Sequence, residues 1–269
     1  MNRRDALKCL AAAGATFATP LFAEEEEAPH VEEEAEFARF FREVGADGTM
    51  AILHTRQNRL TLVNRPRAAV AFAPGATFEI VNLLAALDCG AIESERTAFV
   101  WDRVKREREE WNRDLSLAAA FRVSAPWVDE LIAARVGAAR LRDYVARFDY
   151  GNREIGGDIA RLWRGTTLRI SALEQLDFLA RLYRGALPVA KRAEAIVKEV
   201  LIVEQTGDAV IRAKTALPLR GATNVGWSAG WVERGDFVFI FALNMGPPAR
   251  VPFDPYGMAK KILAALYAL

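Results

Sequence analysis

Apolar residues at Phe37, Phe40, Phe41 and Val44 recur three and four positions apart within Glu36 to Val44, the spacing of a helix that buries one face. The period then shortens to that of strands over Thr49 to Thr55 and Leu60 to Asn64, with Arg56-Gln-Asn-Arg59 as the turn between them. From Ile80 to Lys198 helical spacing predominates. Ile80 to Leu87 is apolar nearly all round and stops at Gly90, Leu115 to Phe121 and Trp127 to Val136 follow, and Ala138 to Phe148 leads into a loop rich in Gly and Asn. Ser171-Ala-Leu-Glu174 matches a capping box and opens a helix running through Tyr183, with Ala190 to Val200 as the next. Beyond residue 200 strand texture returns in Ala209 to Lys214, Val225 to Glu233 and Phe237 to Asn244, and Tyr256 to Leu269 closes the chain as an amphipathic helix. The order helix, two strands, long helical insertion, three strands, helix predicts an α+β fold. Short turns between consecutive strands argue for an antiparallel sheet flanked by the terminal helices.

The chain has 269 residues, 52% hydrophobic and 26% charged, which suits one large unit or two interleaved ones around a substantial core. It opens as a targeting segment over residues 1–23. Arg3, Arg4 and Lys8 supply positive charge, Cys9 to Phe22 a short apolar run, and Ala23 a small residue before Glu24. That run is too short to span a bilayer. Asn2-Arg-Arg-Asp-Ala-Leu-Lys8 also resembles a twin-arginine export signal, and an ordinary Sec signal fits equally; both place the protein in the periplasm or outside the cell. Removing this segment takes away three basic residues and one acidic one, leaving 33 and 34 and a net charge of −1. Such balance gives no reason to expect a nucleic-acid or membrane-surface partner. Cys89 then has no cysteine to pair with, and its place at the end of an apolar helix predicts a buried thiol. His30 and His54 lack a second ligand at metal spacing, so neither a metal nor a cofactor is expected. Residues 24–36, dominated by glutamate, read as a solvated acidic leader ahead of a domain over 37–269.

Candidate chemistry centres on Ala73-Pro-Gly-Ala-Thr-Phe-Glu-Ile80, where a Pro-Gly turn ahead of an apolar run starts a helix whose first turn faces any cavity above it. The stretch resembles the nucleophile helix of class D β-lactamases, whose pattern is Pro-x-Ser-Thr-Phe-Lys. Further motifs follow in the same order. Tyr150-Gly-Asn152 matches that family's Tyr-Gly-Asn loop, and Leu162-Trp163 falls at the Phe-Trp of the loop beside its active site. Leu168-Arg-Ile-Ser-Ala-x-Glu-Gln175 matches the start of the next helix, and Ala213-Lys-Thr-Ala216 the Lys-Thr-Gly strand, with Val225-Gly-Trp-x-x-Gly-Trp-Val-Glu233 at the expected distance. The resemblance runs from about Thr49 to the C-terminus. It implies a five-stranded antiparallel sheet with helices and a helical subdomain over about residues 75–200, the site lying between them. It also implies a serine that opens the lactam to an acyl-enzyme, with a carbamylated lysine as general base.

At the working positions the chain departs from that pattern. Ala76 stands at the serine and Glu79 at the lysine. A register shifted to Thr77 is the competing reading, but Thr77 would point about 100° around the helix from the cavity. Glu79 is either drift after loss of activity or a carboxylate that keeps the carbamate's charge, accepting from Ser124 or the Trp163 indole. Ser124 reads equally as a proton shuttle or as a helix N-cap before Pro126, which replaces a valine. Lys214 and Thr215 persist on the strand, where Lys214 is either an attractor for a ligand carboxylate or a solvated charge. Ala216 replaces a glycine and is expected to crowd the site. Ala259 falls where many members have an arginine that grips the drug's carboxylate. Trp163 and the Tyr-Gly-Asn loop serve binding or packing. Together these departures predict an exported, catalytically silent relative of the class D enzymes that binds a β-lactam, a cell-wall (peptidoglycan) peptide or a protein partner. The alternative is a β-lactam or amide hydrolase with Glu79 as general base and water as nucleophile.

Overall fold

The computed structural model describes residues 28–156, 167–218, 225–266 and 269. The targeting segment and Trp163 lie outside the described residues. One mixed sheet organises the chain, with strand order β1-β3-β2-β9-β8-β7-β6. Its strands are β1 (His30–Glu33), β2 (Gly48–His54), β3 (Arg59–Val63), β6 (Ile202–Thr206), β7 (Ala209–Ala216), β8 (Gly226–Arg234) and β9 (Phe237–Met245). The short strands β4 (Ala98–Phe99) and β5 (Leu115–Ser116) form a separate pair.

The sheet therefore has seven strands, not the five expected, and six of them pair antiparallel in sequence. The two additions are edges. β1 comes from the stretch read as a solvated leader and runs parallel to β3, from His30 opposite Arg59 to Glu33 opposite Leu62. Its glutamates hid it, because a half-exposed edge strand needs only one covered face and Val31 packs there. β6 is equally exposed and lacks a clean alternation.

Helices cover both faces. Three short or terminal helices are α1 (Ala38–Val44), α2 (Arg65–Ala68) and α9 (Pro255–Ala265), and α1 and α9 cover one face over Met50, Ile52, Phe241 and Leu243. The helical region fills the other face with α3 (Glu79–Asp88), α4 (Leu117–Val123), α5 (Pro126–Val136), α6 (Ala138–Arg147), α7 (Ala172–Arg184) and α8 (Lys191–Val200). Burial on both sides explains why β2 and β9 read as nearly continuous apolar runs. Trp227 and Trp231 point to the helical side of β8, and Gly230 between them leaves room that a Cβ would take from the Arg212 carbonyl.

Two local devices fix the helical region beneath the site. Ser171 and Glu174 close the expected capping box, with Ser171 Oγ accepting from Glu174 N at 3.2 Å and Glu174 Oε2 accepting from Ser171 N at 2.8 Å. Asn152 clamps the loop before α7, its Oδ1 accepting from Arg169 N at 2.9 Å, while Tyr150 donates to Gln175 Oε1 at 2.9 Å. Tyr150 meets Phe78 edge-on at 5.9 Å, which seats the first turn of α3.

Candidate functional site

The Pro-Gly turn works as the sequence implies. Gly75, at φ 54°, enters a single 3-10 turn over Gly75–Phe78 that continues into α3. This turn leaves Ala76 half-buried on the wall of a cleft of about 390 Å³, also lined by Glu79, Ser124, Asp129, Trp111 and Thr215. A volume of that size suits a small molecule or a few peptide residues. Thr77 is turned the other way. It is fully buried and donates its hydroxyl to Pro74 O at 2.7 Å, so the shifted register places no hydroxyl in the cleft.

Glu79 is the first residue of α3, directly after the 3-10 turn, and its own N–H is bonded back to Ala76 O and Thr77 O. It is 4% exposed and forms an ion pair with Lys214, also 4% exposed. Lys214 further donates to Phe121 O and lies 3.9 Å from the centroid of the Phe121 ring. It is thus neither a solvated charge nor part of the cleft wall. Ser124 stands close enough to Glu79 to favour its charged form. It is not the N-cap: Ala125 holds that position, and Ser124 ends α4 in the left-handed region at φ 48°.

A residue that the sequence reading passed over completes the group. Asp129, in the first turn of α5, lines the cleft, is 7% exposed and is hydrogen-bonded to Glu79. Burial pushes its carboxyl well above the ordinary range, and the charges of Glu79 and Glu130 push the same way. Burial raises Glu79 too, against the lowering influence of Lys214, Asp129 and Ser124. The available signal was an acid within the apolar run Trp127, Val128, Ile132 and Ala133, a place where a carboxylate needs a partner.

The remaining candidates divide. Thr215 is on the wall, and β6 pairs with β7 only from Ala209 to Arg212, so the outer edge of β7 beyond Ala213 has no strand beside it among the described residues. Ala216 does not crowd the cleft. Its methyl is buried against Gly75, where an added Cβ would come within 3.0 Å of it. Ala259 is fully buried in the core between α9 and the sheet, because Met258, Ala259, Ile262 and Leu263 form the inward face of that helix. Its neighbour Lys260 turns to Glu204 at 2.6 Å. Cys89 is half-buried at the end of α3 rather than enclosed. On the opposite wall Trp111 donates its indole N–H to Val123 O at 2.9 Å, and Trp127 donates to Trp111 O at 2.9 Å, tying the loop over the cleft to α4 and α5.

Comparison with known proteins agrees with this geometry. Residues 48–267 match the penicillin binding protein transpeptidase domain. The chain is 39% identical over 208 residues to β-lactamase OXA-48 of Klebsiella pneumoniae, covering 77% of this chain and 78% of that protein. It is 34% identical over 268 residues to β-lactamase OXA-3 of Pseudomonas aeruginosa, covering 98% and 95%. Among solved structures, a class D β-lactamase from Sebaldella termitidis superposes with a TM-score of 0.84 at 27% identity, over 90% of this chain and 100% of that one. The class D β-lactamase YbXI from Nostoc gives 0.81 at 30% identity, over 87% and 99%.

Proposed function

We propose a function for a chain that belongs to the class D β-lactamases, within the penicillin binding protein transpeptidase family: it binds a β-lactam or cell-wall peptide without forming an acyl-enzyme. The observation that carries this reading is the methyl group of Ala76 on the cleft wall, with the neighbouring Thr77 hydroxyl committed to Pro74. A methyl cannot form the ester, and Lys214, engaged by Glu79 and Phe121, is not available to activate another nucleophile. The edge of β7 at Thr215, beside which no strand lies among the described residues, offers main-chain groups to an amide ligand laid along it. Residues 1–23 act as the export signal that brings the protein to cell-wall material outside the cytoplasm.

Equilibrium dialysis against labelled benzylpenicillin and a cell-wall peptide tests the reading. Saturable binding, released on dialysis, is expected for at least one of them. Absence of binding to both, or label that stays with the denatured protein, would overturn it.

A further inference from the structure

Along β2 the residues Met50, Ile52 and His54 alternate onto the sheet face that α1 and α9 cover, and His54 is the polar member of that row. It stands opposite Arg59 on β3 and Phe239 on β9, so all three project from the face turned away from the cleft. The apolar cover stops at Leu266, just past α9, and there a second cavity of about 430 Å³ opens, in the size range of small-molecule sites. His54, Arg59, Phe237, Phe239 and Leu266 line it. Gln57 N donates to His54 Nδ1 at 3.1 Å, which leaves the ring proton on Nε2. His54 is 5% exposed, yet among the described residues nothing accepts from that Nε2. Beside it Arg59 reaches Glu32 only at 3.6 Å, and its enclosed Nε has no acceptor. Two unmet donors on neighbouring strands call for an acceptor that no side chain supplies.

We propose that this cavity is a second binding site, for a small monocarboxylate with an apolar body. The carboxylate accepts from His54 Nε2 and from the Arg59 guanidinium, the second of these bonds being charge-assisted. The body lies against Phe237, Phe239 and Leu266. Phe237 is 43% exposed and meets the His54 ring edge-on at 5.8 Å, and Phe239 meets it at 4.6 Å, so apolar surface adjoins the donors. The other charged groups on the wall set the ligand's charge. Arg234 is met by Asp208 at 3.5 Å, and Asp236 adds a further acid, which disfavours a ligand carrying two negative charges. This cavity shares no lining residue with the cleft, and the proposal does not rest on the ligand reading above.

Benzoate titrated into the unmodified protein, followed by the NMR signal of the His54 ring, supplies the test. His30→Gln identifies that signal, because the chain has two histidines. A saturable shift is expected with benzoate. Binding should be at least about tenfold weaker for benzamide, which lacks the charge, and for acetate, which lacks the ring. Arg59→Met keeps the apolar stem and should weaken benzoate about tenfold while leaving benzamide unchanged. Phe237→Ser, at an exposed position, should bring benzoate down to the level of acetate. Arg122→Ala, on the wall of the cleft, should change nothing. Absence of a saturable shift, equal binding of benzamide or acetate, full binding in Arg59→Met or Phe237→Ser, or a loss in Arg122→Ala overturns the inference. Each of these outcomes leaves the function proposed for the cleft standing.

Discussion

Replacing Asp129 by Asn removes a titrating carboxyl while keeping a donor for Glu79 and the same side-chain shape. Asn82 is undisturbed, since its amide donates to the Asp129 backbone oxygen at 3.2 Å. In the unfolded chain Asp129 ionises near its ordinary value of 3.8, but burial and Glu79 hold its proton well above that in the folded state. The folded form therefore binds one more proton across that interval, and stability falls as pH rises through it. Each pH unit costs about 1.4 kcal/mol. The Asn variant escapes this loss. Its advantage should start near zero at about pH 4 and grow by about 1.4 kcal/mol per unit until the native carboxyl ionises. Glu79 contributes a slope of the same sign to both proteins. Urea unfolding read by the fluorescence of the six tryptophans, repeated between about pH 4 and pH 8, measures the two curves. Parallel curves, or a wild type that gains on the variant as pH rises, would mean that Asp129 is ionised in the folded protein.

Further predictions follow from the same contacts. Lys214→Met strands a buried Glu79 and should cost about 3–5 kcal/mol, whereas Lys214→Met with Glu79→Gln should recover most of it by leaving no lone charge, as denaturation midpoints would show. Thr77→Val should lower stability by about 1–2 kcal/mol through the lost bond to Pro74 O, with ligand binding in dialysis unaltered. Ser171→Ala opens the capping box of α7 and should cost about 1 kcal/mol in the same urea assay.

What the sequence disclosed was whatever rests on local pattern. The Pro-Gly turn and the helix after it placed Ala76, Glu79 and Thr77, and the capping box at Ser171 marked the start of α7 to the residue. Edge strands were hidden because β1 and β6 are half-exposed and polar, so burial imposed little alternation on them. Asp129 was hidden for another reason. Its partners, Glu79 and Lys214, sit on α3 and β7, and no spacing rule along the chain joins three elements that meet only in the folded core. Lys214 was misplaced by the same limit, since a lone strand lysine looks solvated until the acid that buries it is known. The family resemblance puts Ala259 and Ala216 at the cleft, whereas helix packing and the Gly75 contact put their methyl groups elsewhere.

The most direct test of the central claim is the intact mass of the protein after prolonged incubation with a fluorescent penicillin. A methyl group at Ala76 predicts an unchanged mass and no fluorescence retained on a denaturing gel. An increase equal to the mass of the penicillin, mapped to any residue of the cleft, would contradict it.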